Sequence, residues 1–162
     1  MLPNLKKHWR YTKYVLRHKW YVLNYCVKLG IPWRGIVHDL SKHLPNEWYP
    51  YAEFYYGPNS KNENRHAGDY ERYLHAWNSH QKRNKHHWQY YILVKDDGTI
   101  LTLDMPFVYV KEMVGDWLGA GKALNGKNDV MNWYKERRET MRMSTKTRLK
   151  LEALLTIVQD WE

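Results

Sequence analysis

Four residues stand out for the chemistry they can do: His18, the adjacent pair His38-Asp39, and Asp116. Imidazole and carboxylate together form the mixed nitrogen and oxygen donor set that divalent transition metals take, so these four are read as candidate metal ligands. With nine histidines and eight aspartates in the chain, a His-Asp pair arises by chance about 0.4 times, so the pair carries weight only through its surroundings. Ile36, Val37 and Leu40 flank it and predict a buried turn on a short helix. Successive helical side chains diverge by about 100°. Both members of the pair can therefore face an interior only if a charged centre lies between them. Asp116 sits among Met113, Val114, Trp117 and Leu118, where an unpaired carboxylate is costly. His18 shares a helical face with Val15 and Val22 and is expected to point inward.

Convergence of these residues demands several helices. Positions 5–29 show helical apolar spacing through Trp9, Tyr14, Val15, His18, Val22, Tyr25, Cys26 and Leu29, and Gly30 with Pro32 ends the run. A shorter helix carrying His38-Asp39 is expected from Trp33 until Pro45, and a third from Pro45 to Gly57. The polar, Asn-rich stretch 58–65 reads as a surface loop. A fourth helix spans 67–83, with Tyr70, Tyr73, Leu74, Trp77 and His80 along one side. Strand signals occur at 89–94 and 99–103, joined by the turn Lys95-Asp96-Asp97-Gly98. Helical spacing returns after Pro106 through Val110, Met113, Val114, Trp117 and Leu118 and is expected to stop at 119–121. Two more helices are expected at 129–141 and 144–161, the second capped by Ser144. The expectation is a mostly α chain, a helical bundle with one small hairpin at about 89–103, folded as a single domain over 1–162.

Composition narrows the class further. One cysteine, Cys26, rules out an internal disulfide framework and fits a reducing compartment; among Tyr21, Val22, Tyr25 and Val27 it reads as a packed side chain. Apolar runs of four or five residues are too short to span a membrane, and no signal peptide is legible near the start. A cytoplasmic protein is expected. The formal charge of +9 favours an anionic partner such as a nucleotide, a phosphorylated metabolite or nucleic acid. Tyr and Trp dominate the aromatic content, 14 and 9 against 2 Phe, and both suit the wall of a wet cleft as well as a core.

The order His … His-Asp … Asp on successive helices, with Leu40 and Lys42 following the pair, resembles the HD-domain metal-dependent phosphohydrolase superfamily. Over nearly its full length, including Tyr14-Val-Leu-Arg-His-Lys-Trp20 and His80-Gln-Lys-Arg-Asn-Lys-His-His-Trp88, the chain is also similar to a small uncharacterised family of phage and bacterial proteins in or near that superfamily. The resemblance implies an HD-like domain in which His18, His38, Asp39 and Asp116 hold a divalent metal. It further implies that His80 with His86 or His87 completes a second site, the choice between the last two staying open. His43, His66 and His75 are left as surface or packing residues. The cofactor implied is one or two divalent transition ions (Mn, Fe, Co, Ni or Zn).

The function implied is hydrolysis of a nucleotide or related phosphorylated small molecule by water that the metal activates. Asp39 would hold that water and Lys42 would face the substrate phosphate, with Lys82 and Arg83 as further phosphate contacts and Trp88 as a stacking platform. Trp33, Trp77 and Trp117 are further stacking candidates, the last two also readable as core. Two other classes remain. An HD-type di-iron oxygenase would use the same donors. A nucleic-acid-binding module would use the basic, aromatic surface and would bind independently of metal, which leaves the inward His and Asp side chains without a purpose. The oligomeric state, a homo-oligomer included, is left open.

Overall fold

The computed structural model describes residues 2–58, 60 and 67–161. Among them the chain forms seven α-helices and one antiparallel hairpin: α1 (Leu2–Lys28), α2 (Pro32–Val37), α3 (Pro45–Tyr56), α4 (Ala67–Arg83), β1 (Ile92–Val94), β2 (Ile100–Thr102), α5 (Phe107–Asn125), α6 (Val130–Arg137) and α7 (Thr145–Val158). Short 3-10 turns occupy Leu40–His43, Trp88–Tyr91 and Arg138–Thr140. The mostly α expectation with one hairpin holds. No helix of the described residues is long and apolar enough to cross a membrane. The surface loop expected at 58–65 falls largely outside the described residues, as does His66.

Proline and glycine punctuation explains most boundaries. Pro32 and Pro45 each stand at the first position of a helix, where their missing N–H removes no helical bond. Ser144 caps α7, its Oγ accepting from the backbone N–H of Thr147 at 3.1 Å. The hairpin pairs Ile92 with Thr102 and Val94 with Ile100. It is shorter than the expected 89–103, because Trp88–Tyr91 winds into a 3-10 turn.

Two apolar clusters hold the helices together. One gathers Tyr25, Leu29, Val110, Met113, Val114 and Leu118 with Val130, Tyr134, Leu151 and Leu155. The other gathers Tyr11, Val15, Tyr51, Ala52 and Ala76. α1 contributes to both, with His18 falling between its two contributing stretches. α5 is the principal neighbour of α1. It continues past the expected stop at 119–121, because Gly119 serves packing and not termination. A Cβ on Gly119 would lie 2.5 Å from Val22 Cγ2 and 2.9 Å from Val22 N. The bare Cα lets α5 approach α1 closely, at the modest cost that glycine carries inside a helix. Gly35 does the same for α2, where a Cβ would stand 2.8 Å from Cys26 Cβ.

Candidate metal centre

The His38-Asp39 pair does not lie on a helix. α2 ends at Val37, His38 turns to extended backbone (ψ 130), and Asp39 adopts the left-handed conformation at φ 53. Aspartate is one of the few residues that enters this region readily. The expected helix through the pair is therefore corrected to a break between α2 and Leu40–His43. The break has a geometric consequence: two adjacent side chains point the same way, which a continuous helix forbids. The apolar flank was also misread. Ile36 and Leu40 are half exposed, whereas His38 and Asp39 are buried. The turn is anchored by Lys19 of α1, whose Nζ donates to the His38 carbonyl at 3.0 Å.

Around this turn the expected ligands converge. His18 Nε2 lies 3.1 Å and His38 Nε2 3.3 Å from Asp116 Oδ1. Asp39 Oδ2 is 3.3 Å from His38 Nε2 and 4.0 Å from His18 Nε2. The other oxygen of Asp39, Oδ1, lies 3.3 Å from the Nε2 atoms of both His80 and His86. His87 belongs to the same group, its Nε2 buried and without a hydrogen-bond partner. Both His86 and His87, between which the sequence leaves the choice open, turn inward. Asp39 stands in the middle, with one carboxylate oxygen toward His18 and His38 and the other toward His80 and His86; Asp116 belongs to the first group and His87 to the second.

Two carboxylates that the sequence reading passed over orient these rings. Glu112 Oε1 accepts from His38 Nδ1 at 3.3 Å and lies 3.3 Å from His86 Nδ1, while its Oε2 accepts from Arg34 Nε at 2.6 Å. Glu47 Oε2 accepts from His80 Nδ1 at 2.7 Å and from Ser41 Oγ at 2.9 Å, and Arg83 binds its other oxygen. A hydrogen bond at Nδ1 fixes the ring and presents Nε2 to the centre, the usual support of a ligating histidine. Glu112 was legible: it lies four residues before Asp116, on the same face of an otherwise apolar helix. Glu47 was not, since a glutamate in the first turn of a helix is ordinary.

Burial opposes every charge in this interior, and the charges answer one another. Burial works against the ionised form of Asp39, yet His38, Lys42 and His80 outweigh it and hold the carboxyl well below the usual range. Asp116 is held low in the same way by His18 and His38. Glu112 falls to about 2 because the bonds from His38 and His86 overcome its burial. Burial depresses His18, and burial with the neighbouring imidazoles depresses His87 further, so both favour the neutral form that ligates metal. Lys42 Nζ makes an ion pair with Asp39 Oδ2 at 2.6 Å.

The decisive observation is what lacks a partner. His18 Nδ1, Asp39 Oδ1, and the Nε2 atoms of His38, His80, His86 and His87 are buried without a hydrogen bond of ordinary geometry, while Asp39 Oδ2 meets Lys42 and His18 Nε2 meets Asp116. Orphaned buried polar atoms are rare because each costs about 1–3 kcal/mol. Here they face one another, and the donor atoms of each group lie within 4.8 Å. These buried groups could hold a metal ion.

Three expected substrate contacts lie elsewhere. Lys82 Nζ donates to the carbonyls of Gln89 and Ile92, tying the end of α4 to the hairpin. Arg83 is committed to Glu47. Trp88 packs against the larger apolar cluster. Each side chain has a contact within the fold, and none of the three lines the cavity beside the ligands. Trp33 is exposed on α2, and of the stacking candidates only Trp77 lines the cavity beside the ligands.

The family of unknown function DUF5662 matches the chain over residues 7–157. The chain belongs to that family. No curated protein and no solved structure matches it. In this DUF5662 chain the matched span takes in every candidate ligand from His18 to Asp116, with the supporting Glu47 and Glu112.

Proposed function

We propose that the chain is a metal-dependent phosphohydrolase acting on a nucleotide or related phosphorylated small molecule, and that its family lies in or near the HD-domain superfamily it resembles. One observation carries the reading: a single buried carboxylate, Asp39, directs its two oxygens at two separate groups of imidazoles that turn Nε2 atoms toward it. His18, His38, Asp116 and Asp39 Oδ2 would hold one ion; His80, His86, His87 and Asp39 Oδ1 would hold a second. Donors of this kind suit Mn, Fe, Co, Ni or Zn. Such an ion supplies, when bound, a water of lowered pKa and a charge that neutralises phosphoryl oxygens.

The chain's own side chains do the rest. Glu112 and Glu47 keep His38, His86 and His80 in the tautomer that offers Nε2. Lys42 pairs with Asp39 Oδ2 and lines the adjoining cavity, where the remaining N–H groups of its ammonium can bind a phosphate oxygen. The net charge of +9 draws an anionic substrate toward the protein.

Metal analysis of the purified chain and of Asp39→Asn, followed by a phosphoester screen of both with Mn²⁺, Co²⁺ and Fe²⁺, tests the reading. Asparagine tolerates the left-handed backbone, so the variant keeps the turn and loses only the charge. The expected result is bound metal and turnover in the wild type and neither in the variant. Equal hydrolysis by both proteins would remove Asp39 from the mechanism. Iron retention with oxygen-dependent turnover would replace hydrolysis by oxidation.

A further inference from the structure

A cavity of about 250 Å³ opens against the ligand cluster, with His18, His87 and Asp116 in its wall. Tyr11 of α1 and Tyr51 of α3 form part of the remaining wall, and neither has a part in holding metal. Their rings lie near-parallel with centroids 6.3 Å apart. Each side chain is more than nine-tenths buried, and each hydroxyl lacks a hydrogen-bond partner. A lone orphaned phenol is a packing accident; two on one cavity beside an ammonium point to something that arrives from outside and accepts hydrogen bonds. Burial raises both phenols above their ordinary value, so they stay O–H donors. Lys42, whose Nζ also meets Asp39 Oδ2 at 2.6 Å, lines the same cavity and is its only lysine or arginine among the described residues.

We propose that Tyr11, Tyr51 and Lys42 form a cradle for the oxygens of one phosphoryl group, and that the substrate is a phosphomonoester with a compact, planar or apolar alcohol portion. The proposal rests on the phosphohydrolase reading of the same site. Charge decides the class. Two neutral donors and one ammonium match a single phosphoryl group next to a metal. A triphosphate, by contrast, is held by several cationic side chains, and a nucleic-acid strand needs a basic track along its backbone. Neither is present in this wall. Tyr14, Tyr55 and Trp77 line the cavity too and provide apolar faces for the alcohol portion.

The test uses the metal-loaded full chain and inorganic phosphate as the probe, titrated calorimetrically into wild type, Tyr11→Phe, Tyr51→Phe and the double variant. A charge-assisted hydrogen bond lost from each site weakens phosphate binding by about tenfold per substitution. Metal content and melting temperature should hold, because each variant removes a hydroxyl that bonds to nothing in the fold. Turnover of 4-nitrophenyl phosphate should show a raised KM in the variants, and ATP should be a poor substrate of all four proteins. Unchanged phosphate affinity in the double variant overturns the cradle, and so does a lowered melting temperature with phosphate affinity intact. Preferred hydrolysis of ATP overturns the monoester assignment. Tyrosine-dependent phosphate binding without hydrolysis of any phosphoester keeps the cradle and removes the hydrolase reading. Hydrolysis indifferent to both tyrosines does the reverse.

Discussion

His80 donates from Nδ1 to Glu47 Oε2 across 2.7 Å, and neither side chain has any exposed surface. The bond links α4 to α3 and sets which nitrogen of His80 faces Asp39. Glu47 is in turn held by Ser41 and Arg83, so the carboxylate that orients the ring is itself fixed by three partners.

Replacing Glu47 by glutamine keeps the shape and removes the charge that fixes the tautomer. Outer carboxylates of this type support ligand affinity by about 10- to 100-fold. Glu47→Gln should weaken metal binding by that factor with its far-ultraviolet circular dichroism unchanged. Titration of the metal-free protein with Mn²⁺ or Zn²⁺ measures it. An affinity equal to wild type would mean that the His80 ring needs no support.

Gly119 sets how closely α5 can approach α1, and α5 carries Asp116 while α1 carries His18. A Cβ there meets backbone as well as side chain of Val22, so the helices must separate. Gly119→Ala should destabilise the fold by about 1–3 kcal/mol, more than the helical gain from alanine, and should also reduce metal content. Thermal melting and metal analysis read the two effects. An unchanged melting temperature would show that the crossing has slack.

Acid should unfold the metal-free protein partly through Glu112. Its folded value of about 2 lies below the ordinary 4.5, with burial opposed and outweighed by His38 and His86. A depressed carboxyl contributes stability that is complete above the unfolded value and disappears as pH falls through the folded one. The window is therefore about 4.5 down to about 2, and the contribution on the order of 3 kcal/mol. Chemical denaturation of wild type and Glu112→Gln across that range should give curves that differ at pH 6 and converge as pH approaches 2. Parallel curves would place the titration elsewhere.

Much of this was legible in one dimension. Apolar residues at helical spacing, with Gly and Pro between them, located α1, α3, α4 and α7 within a few residues, because periodicity and backbone restriction are local properties. The donor types were legible as well: imidazoles and carboxylates among apolar neighbours mark positions where burial needs a compensating charge. Helix α5 overran its expected end because Gly119 answers to Val22, almost a hundred residues earlier, and not to its own helix.

Tertiary structure alone decided what the polar residues do. The left-handed turn at Asp39 aims adjacent side chains together, and the crossing of α1 and α5 brings His18 to Asp116. Packing also assigned Lys82, Arg83 and Trp88 to the framework and turned both His86 and His87 inward. Glu47 and the phenols of Tyr11 and Tyr51 acquired their roles in the same way, from residues distant in the chain. Side-chain type is written into each position, but direction and partner follow from contacts between helices that share no local pattern.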